Sequence, residues 1–297
     1  NDLLSALPGL GRVLCITRNE WAVHEIKGAF DGIKVKEKSA LVINDELDMR
    51  YPFADWGFGF AVTDPRDDGD RCSLQIFDSA GTAVHKIYRL PETDEAAWDA
   101  LVRAHTADDQ RAGQALSSVA PPPAEVPDGS IDVDALRTGW REMTNTHQFN
   151  RIIGGQGASR VQAFRLAGPE FAEKLEDGAI RRVLEGAKKH DLRLMIFVSS
   201  PGATQIWTGV PQNLKESGRW YNILDEGFNL HLLPEGIAST WVVRKPYEGG
   251  VATSIEAFDA AGEPLIWLFG KRTAENTESD AWRSFANSLA DDSKALA

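Results

Sequence analysis

The sequence predicts an α+β protein built from two tandem structural repeats, each a large antiparallel β-sheet with flanking helices. Three observations predict it. Residues 11–89 can be laid over residues 192–270 at a fixed offset of 181 without a gap. Within each stretch the apolar residues mostly recur with a period of two, in runs parted by turn residues. Each stretch is then followed by a segment of helical spacing.

Identical pairs in the overlay include Arg12/Arg193, Ala22/Ala203, Gly28/Gly209, Lys34/Lys215, Val62/Val243, Pro65/Pro246, Ser73/Ser254, Phe77/Phe258, Asp78/Asp259 and Gly81/Gly262. Average composition would give about five by chance, so the pattern carries more weight than the count. Val13-Leu-Cys-Ile16 falls on Leu194-Met-Ile-Phe197, and Leu74-Gln-Ile-Phe-Asp-Ser-Ala-Gly81 falls on Ile255-Glu-Ala-Phe-Asp-Ala-Ala-Gly262. Ser73 to Asp78 reads as a strand, Ser79-Ala-Gly81 as a hairpin turn and Ala83 to Tyr88 as the return strand. Leu47 to Val62 reads as a further strand pair turning near Pro52 to Asp55. Its counterpart is Phe228 to Val243, turning at Pro234-Glu-Gly236. The closing helices are Glu95 to His105 and Ser279 to Leu289, anchored by Trp98 and Trp282.

Residues 1–105 are therefore the N-terminal repeat and residues 132–297 the C-terminal repeat. Residues 106–131 form a proline-rich linker around Pro121-Pro-Pro123, because a proline run continues neither a helix nor a central strand. The C-terminal repeat opens with a helical block from Val133 to Lys189. Asp132 and Asp134 suit its N-cap, and Leu136, Trp140, Met143 and His147 recur at three- and four-residue steps along its first helix. Gly154-Gly-Gln-Gly157 breaks it. It follows no strand and lacks a Lys-Ser/Thr tail, so it is no phosphate loop. Helices resume at Ser159 to Leu166 and Pro169 to Lys189. The N-terminal repeat has no such block, and the repeat register predicts that about fifty residues precede Asn1 in the full protein.

A net charge of −12 argues against nucleic acid as the main partner, since phosphates need a basic face. The longest apolar runs, such as Leu194 to Val198, are too short to cross a bilayer, so no membrane insertion is expected. Cys15 and Cys72 both lie in apolar, strand-like stretches. One disulfide is possible; two thiols in a reducing compartment are favoured. No Cys-x-x-Cys-His for covalent haem and no His-Glu-x-x-His for a zinc-protease helix is present.

Arg18-Asn-Glu-Trp-Ala-Val-His-Glu25 ending at Gly28, Leu74 to Asp78, and Val84-His-Lys-Ile-Tyr88 resemble the first half of the hemin-degrading factors, the HemS/ChuS/HmuS-type cytoplasmic haem-utilisation proteins. The second half agrees at Thr146-His-Gln-Phe149, Ser159 to Arg165, Asn229-Leu-His231, Trp241 to Pro246 and Phe269-Gly-Lys-Arg272. The resemblance covers nearly the whole chain. It implies a duplicated α+β protein with haem (iron protoporphyrin IX) in a cleft between the halves.

A haem site needs an axial ligand, cations for two propionates and an apolar slot. The resemblance makes His147 the iron ligand, which a neutral imidazole can be; without it, a histidine there reads as a surface or capping residue. Arg50, from Leu47-Asp-Met-Arg50, faces it in the family pattern. Guanidinium is a poor metal ligand, so the implied role is hydrogen bonding to water, hydroxide or dioxygen at the iron. Arg160, Lys245 and Arg272 match the family's cationic positions around the propionates. Each alone also reads as a solvated surface charge. Some of Phe53, Trp56, Phe58 and Phe60 would pack on the porphyrin and the rest in the core. In the repeat register Arg50 falls on His231, either a secondary haem contact or a buried strand histidine. His24 and His85 read as strand residues satisfied by neighbours. His105 and His190 end helices, where a cation suits the dipole.

The leading expectation is a cytoplasmic haem-binding protein of iron acquisition. In one version it degrades haem with Arg50 and His147 as the catalytic pair. In another it carries haem without turnover. An inner-membrane haem importer or a haem oxygenase would be its partner. The alternative of another class is a scaffold or a binder of a different hydrophobic ligand.

Overall fold

The structure is a computed structural model that describes residues 2–67, 69–118, 124–272 and 277–295, with side chains as far as residue 291. The prolines 121–123, on which the linker was read, lie outside the described residues. The chain opens with α1 (Asp2–Ala6) and a 3-10 turn, then β1 (Arg12–Arg18), β2 (Ala22–Ala29), β3 (Lys34–Val35), β4 (Ser39–Ile43), β5 (Asp48–Pro52), β6 (Phe58–Asp64), β7 (Arg71–Phe77), β8 (Ala83–Arg89) and α2 (Glu95–His105). A helical block follows: α3 (Val133–Arg141), α4 (Gln148–Gly155) and α5 (Arg160–Ala167), then β9 (Ala172–Leu175) and α6 (Ala179–Lys189). The last stretch is β10 (Leu194–Ser200), β11 (Ala203–Gly209), β12 (Leu214–Ser217), β13 (Trp220–Asp225), β14 (Phe228–Leu232), β15 (Ser239–Tyr247), β16 (Gly250–Phe258), β17 (Pro264–Gly270) and α7 (Asp280–Ala295). The class is α+β, with two large antiparallel sheets.

The repeated hairpins have one local cause. In β7–β8 the Asp78 carboxylate accepts from the backbone N–H groups of Ala80 (2.9 Å) and Thr82 (2.7 Å), and Gly81 takes φ +88°. In β16–β17 Asp259 does the same to Ala261 and Glu263, both at 2.9 Å, with Gly262 at φ +79°. An aspartate at the turn entry and a residue able to sit at positive φ close the loop the same way twice. Helix starts are equally local. Asp94 caps α2, Asp132 caps α3, and Ser159 with Gln162 forms a capping box on α5.

The pairing between strands departs from the sequence reading. Leu47 to Val62 does hold two strands, but they do not form a hairpin. β5 pairs with β4 and β11, whereas β6 pairs with β7. The five residues between them carry the chain from one sheet to the other. The same departure recurs in the second repeat, where β14 pairs with β2 while β15 pairs with β16 and β9. The repeats thus exchange strands reciprocally: β2 of the first takes β14 of the second, and β11 of the second takes β5 of the first. Period-two patterning fixes which face of a strand is apolar but not which edge it joins.

The described residues fall into two compact units. Unit 1 comprises Asn1–Ala120, Phe197–Trp207 and Asn222–Leu232. It contains the strand runs β14-β2-β1-β8-β7-β6 and β3-β4-β5-β11. Cys15, Val13, Ile26, Met49, Tyr51 and Ile87 are sealed in its core. Both cysteines are free thiols. Unit 2 comprises Pro121–Ile196, Thr208–Tyr221 and Leu233–Ala297, and it contains the run β17-β16-β15-β9. Helices α3, α4 and α5 lay Leu136, Trp140, Phe149, Ile153 and Phe164 on Trp241, Val243 and Phe258 of this run. Sealing one such large apolar side chain stabilises the fold by about 1.5–3 kcal/mol. Trp241 is 7% exposed; its repeat counterpart Phe60, in unit 1, is 43% exposed beside Phe58 and Phe77.

Two helical expectations are corrected. Pro169 to Lys189 is not one helix. Ala172 to Leu175 forms β9, which pairs with β15 from Thr240↔Leu175 to Val243↔Ala172, and only Ala179 onward is helical. Gly178 at φ +76° makes the break, and the open edge of β15 recruits the preceding residues as a strand. The first helix also stops short of His147, as the site shows. The glycine break after α4 holds, with Gly157 at φ +67°.

Candidate functional site

Helix α3 ends at Arg141, and the six residues after it form a loop that presents His147. Trp140 Nε1 donates to Arg244 O at 2.8 Å, and Glu248 N donates to Thr144 O at 2.8 Å, so the loop is tied to β15 and to the turn that follows it. Gln148 Oε1 accepts from the N–H groups of Thr144 (2.9 Å) and Asn145 (3.3 Å), and Asn145 Oδ1 accepts from His147 N at 2.9 Å. These side-chain bonds compete with helical ones and end the periodicity that Met143 and His147 suggest. His147 occupies the N-cap position of α4. It is exposed, and among the described residues its imidazole has no hydrogen-bond partner. Both ring nitrogens are open to an external ligand.

Helix α4 leads from His147 to a group of charges. Its Asn150 Oδ1 accepts from Arg160 Nη1 at 3.0 Å, and its Phe149 ring lies under both Arg160 (5.0 Å to the centroid) and Lys245 (4.9 Å). Arg160 also stacks on Trp267 at 4.6 Å. Between the two cations sits Glu256, fully buried on β16. It accepts from Arg160 Nε (2.9 Å), Lys245 Nζ (2.5 Å) and Ser254 Oγ (2.7 Å). Burial pushes the Glu256 carboxyl up, but the Arg160 and Lys245 charges outweigh it and hold the group down to about 2. Burial draws Lys245 down to about 8, against the pull of Glu256. Arg272 lies over the rings of Phe269 (5.5 Å) and Tyr247 (5.6 Å) and has no ion pair among the described residues. The structure thus gathers Arg160 and Lys245 in one network, with Arg272 near enough for its charge to act on Lys245. The reading of Arg160 and Lys245 as solvated surface charges is excluded.

Glu256, Asn150 and Trp267 were not singled out from sequence. Glu256 did leave a signal: it lies at a period-two position with Ser254 and Phe258, on the face of the strand that must be buried. A carboxylate there demands cations.

In unit 1, Arg50 is half-buried on β5. Nη1 pairs with the Asp48 carboxylate and also donates to Met49 O at 3.2 Å. His231 on β14 is half-buried and held to Asn222 Oδ1 at 2.7 Å. Phe53, Trp56 and Phe58 line an apolar cavity of about 290 Å³ together with Leu3, Leu4 and Ile76. His24 and His85 are sealed, and burial drives both to about 3, so each is neutral. His85 Nδ1 meets Thr17 Oγ1 at 3.0 Å while its buried Nε2 has no partner among the described residues, so the reading as a strand histidine satisfied by neighbours holds for one nitrogen only. His24 corrects that reading for its own case, because neither of its ring nitrogens has a partner among the described residues. His105 Nδ1 meets Leu101 O at 2.9 Å, and His190 follows the last turn of α6.

The chain has recognisable relatives. The family described as the haemin-degrading HemS.ChuX domain matches residues 1–105 and 157–289. The intervening stretch, which contains His147, is outside both matches. A hemin transport protein, HmuS of Yersinia pestis, is 35% identical over 282 residues, covering 95% of this chain and 81% of that protein. The crystal structure of holo-PhuS, a heme-binding protein from Pseudomonas aeruginosa, superposes with a TM-score of 0.94 at 41% identity, covering 97% of this chain and 84% of that one. The heme degrading enzyme ChuS from Escherichia coli O157:H7 superposes with a TM-score of 0.89 at 35% identity, over 97% and 84% of the two chains.

Proposed function

The chain belongs to the haemin-degrading HemS.ChuX domain family, and on that premise we propose that it is a haem-binding protein of haem iron acquisition, acting in the cytoplasm. The observation that carries this reading is the geometry of α4. One short helix starts at an exposed imidazole with both nitrogens open and, within a single turn, reaches Phe149 and the Arg160 cation group. That donor set fits haem: a neutral nitrogen for iron, aromatic surface, and positive charge for carboxylates.

Bound haem supplies an iron that accepts an imidazole nitrogen and, with oxygen and a reductant, the reactivity to open the ring. The protein supplies position and charge. His147 donates a ring lone pair when neutral. Arg160, Lys245 and Arg272 form the cationic end. Arg50 is the further contact that the resemblance assigns; within unit 1 its guanidinium pairs with Asp48. No described helix is long and apolar enough to cross a membrane. Haem would come from an inner-membrane importer and leave, if intact, to a haem oxygenase.

The relatives' descriptions support two versions, hemin transport for HmuS and heme degradation for ChuS. Titration with hemin tests both: a Soret shift saturating at one equivalent is expected, and no shift would end the haem reading. Adding ascorbate and catalase to the complex then separates them. Loss of the Soret band with release of iron identifies degradation, and a persistent band identifies carriage.

A further inference from the structure

We infer that Asp48 is the positioning residue for Arg50: it anchors one guanidinium nitrogen, so that the remaining edge of the same group is presented to the ligand. The inference rests on the haem reading above and concerns how the chain holds Arg50 before any ligand arrives.

Asp48 and Arg50 are two residues apart on β5, so their side chains leave the same face of the strand, while Met49 and Tyr51 point into the core of unit 1. The hydrogen bonds of Arg50 all fall on one nitrogen. Nη1 pairs with the Asp48 carboxylate and also donates to Met49 O at 3.2 Å and Val42 O at 3.5 Å. Nε and Nη2 have no partner among the described residues. They share one edge of the planar group, with two parallel N–H donors. Guanidinium is rigid, so fixing Nη1 fixes the direction of that edge. The Arg50 side chain is 37% exposed, so the group is not sealed off from a ligand.

Asp48 suits this task better than it suits a stabilising one. Its side chain is 18% exposed, and its cross-strand neighbours are Ile43 on β4 and Ile206 on β11, neither with a side-chain donor. Burial lifts its carboxyl above the ordinary value even against the charge of Arg50. Such a pair adds little to stability, because the attraction is offset by the desolvation of the carboxylate. Nor does the strand demand it. In the repeat register Asp48 falls on Asn229 and Arg50 on His231, on β14 of the same unit. There the two side chains part: Asn229 Nδ2 donates to Glu25 at 3.2 Å, and His231 is held to Asn222 at 2.7 Å. The same strand position thus folds without an ion pair along the strand. Asp48 also neutralises the charge of Arg50. The free edge is therefore an oriented pair of donors for an uncharged or weakly charged atom at the iron, and not a counter-cation.

The test reads the C–O stretch of carbon monoxide bound to the ferrous haem complex of the whole chain. Carbon monoxide is neutral, and its stretch falls when a positive group or an N–H donor stands near its oxygen. Arg50→Ala should raise the stretch and sets the reference. Asp48→Ala should move it in the same direction, because the unanchored guanidinium turns away. Asp48→Ala/Arg50→Ala should equal Arg50→Ala alone. Asp48→Asn, which keeps an acceptor, should lie nearer wild type than Asp48→Ala. A role through charge alone has the opposite sign, since deleting a negative charge lowers the stretch. An Asp48→Ala stretch at or below wild type therefore overturns the inference, as does a double variant that differs from Arg50→Ala. Asp48→Val, whose branched side chain suits a strand between two isoleucines, gives the same readout if the alanine variant does not fold. An Arg50→Ala stretch equal to wild type removes Arg50 from the iron, a failure of the haem reading that shows before Asp48 is touched.

Discussion

Lys245 Nζ lies 2.5 Å from Glu256 Oε1, and both side chains are shut off from solvent beneath α4 and α5. The pair joins a strand residue that the sequence reading did not single out to one that the resemblance placed at the propionates. Removing a single partner strands a buried charge. Glu256→Ala should destabilise the chain by about 3–5 kcal/mol in denaturant unfolding. A loss below about 1 kcal/mol would show that the pair is not sealed.

The pH dependence of the same contact has a definite sign. Glu256 is held down to about 2 from an ordinary value of 4.5. Its contribution is complete above pH 4.5 and is lost as pH falls toward 2. The stability difference between wild type and Glu256→Gln should shrink over that window. A difference independent of pH between 5 and 2 would contradict the assignment.

The buried histidines act at higher pH. The unfolded chain binds protons on His24 and His85 near pH 6.5, whereas the folded chain resists until about 3. Stability should therefore fall as pH drops below 6.5, by up to about 1.4 kcal/mol per pH unit for each histidine. His24→Leu should flatten the profile by about one proton. Because both His24 nitrogens are unpartnered, it should also leave stability at pH 7 unchanged or higher. An unaltered pH slope would refute this.

His147 should behave in the opposite way. It is exposed and makes no side-chain hydrogen bond among the described residues, so His147→Ala should shift unfolding by no more than about 0.5 kcal/mol. It should nevertheless change the hemin spectrum and weaken binding far more than His24→Leu. Equal effects of the two variants on hemin would remove His147 as the ligand.

Packing of the C-terminal helix gives a test unrelated to haem. A Cβ on Gly186 of α6 would stand 2.2 Å from Phe285 Cζ on α7. Gly186→Ala should cost about 1–3 kcal/mol despite the better helix propensity of alanine. A stabilised variant would mean that α6 and α7 are not packed ring against backbone.

Much of the fold was legible because its causes are local. Asp78 and Asp259 close their hairpins within four residues, and Asp94, Asp132 and Ser159 cap their helices within three. The site was legible in part. Arg160 and Lys245, which the resemblance named, lie in one network with Glu256, and the His147 side chain is exposed. The path of the chain to His147 was misread, because Asn145 and Gln148 take over backbone groups that the apolar spacing assigned to a helix.

The sequence by itself determined the duplication, the α+β class, the turns and most helix limits. Each depends on residues a few positions apart, and the period and turn chemistry report them directly. Only the tertiary structure decided that β14 joins β2 and β11 joins β5, that residues 172–175 become a strand on β15, and that Glu256 holds Lys245. A strand carries the same donors and acceptors along either edge, and a buried carboxylate takes whichever cation the packed sheet and helices bring to it. Those choices are made by contacts between distant parts of the chain, which no local pattern records.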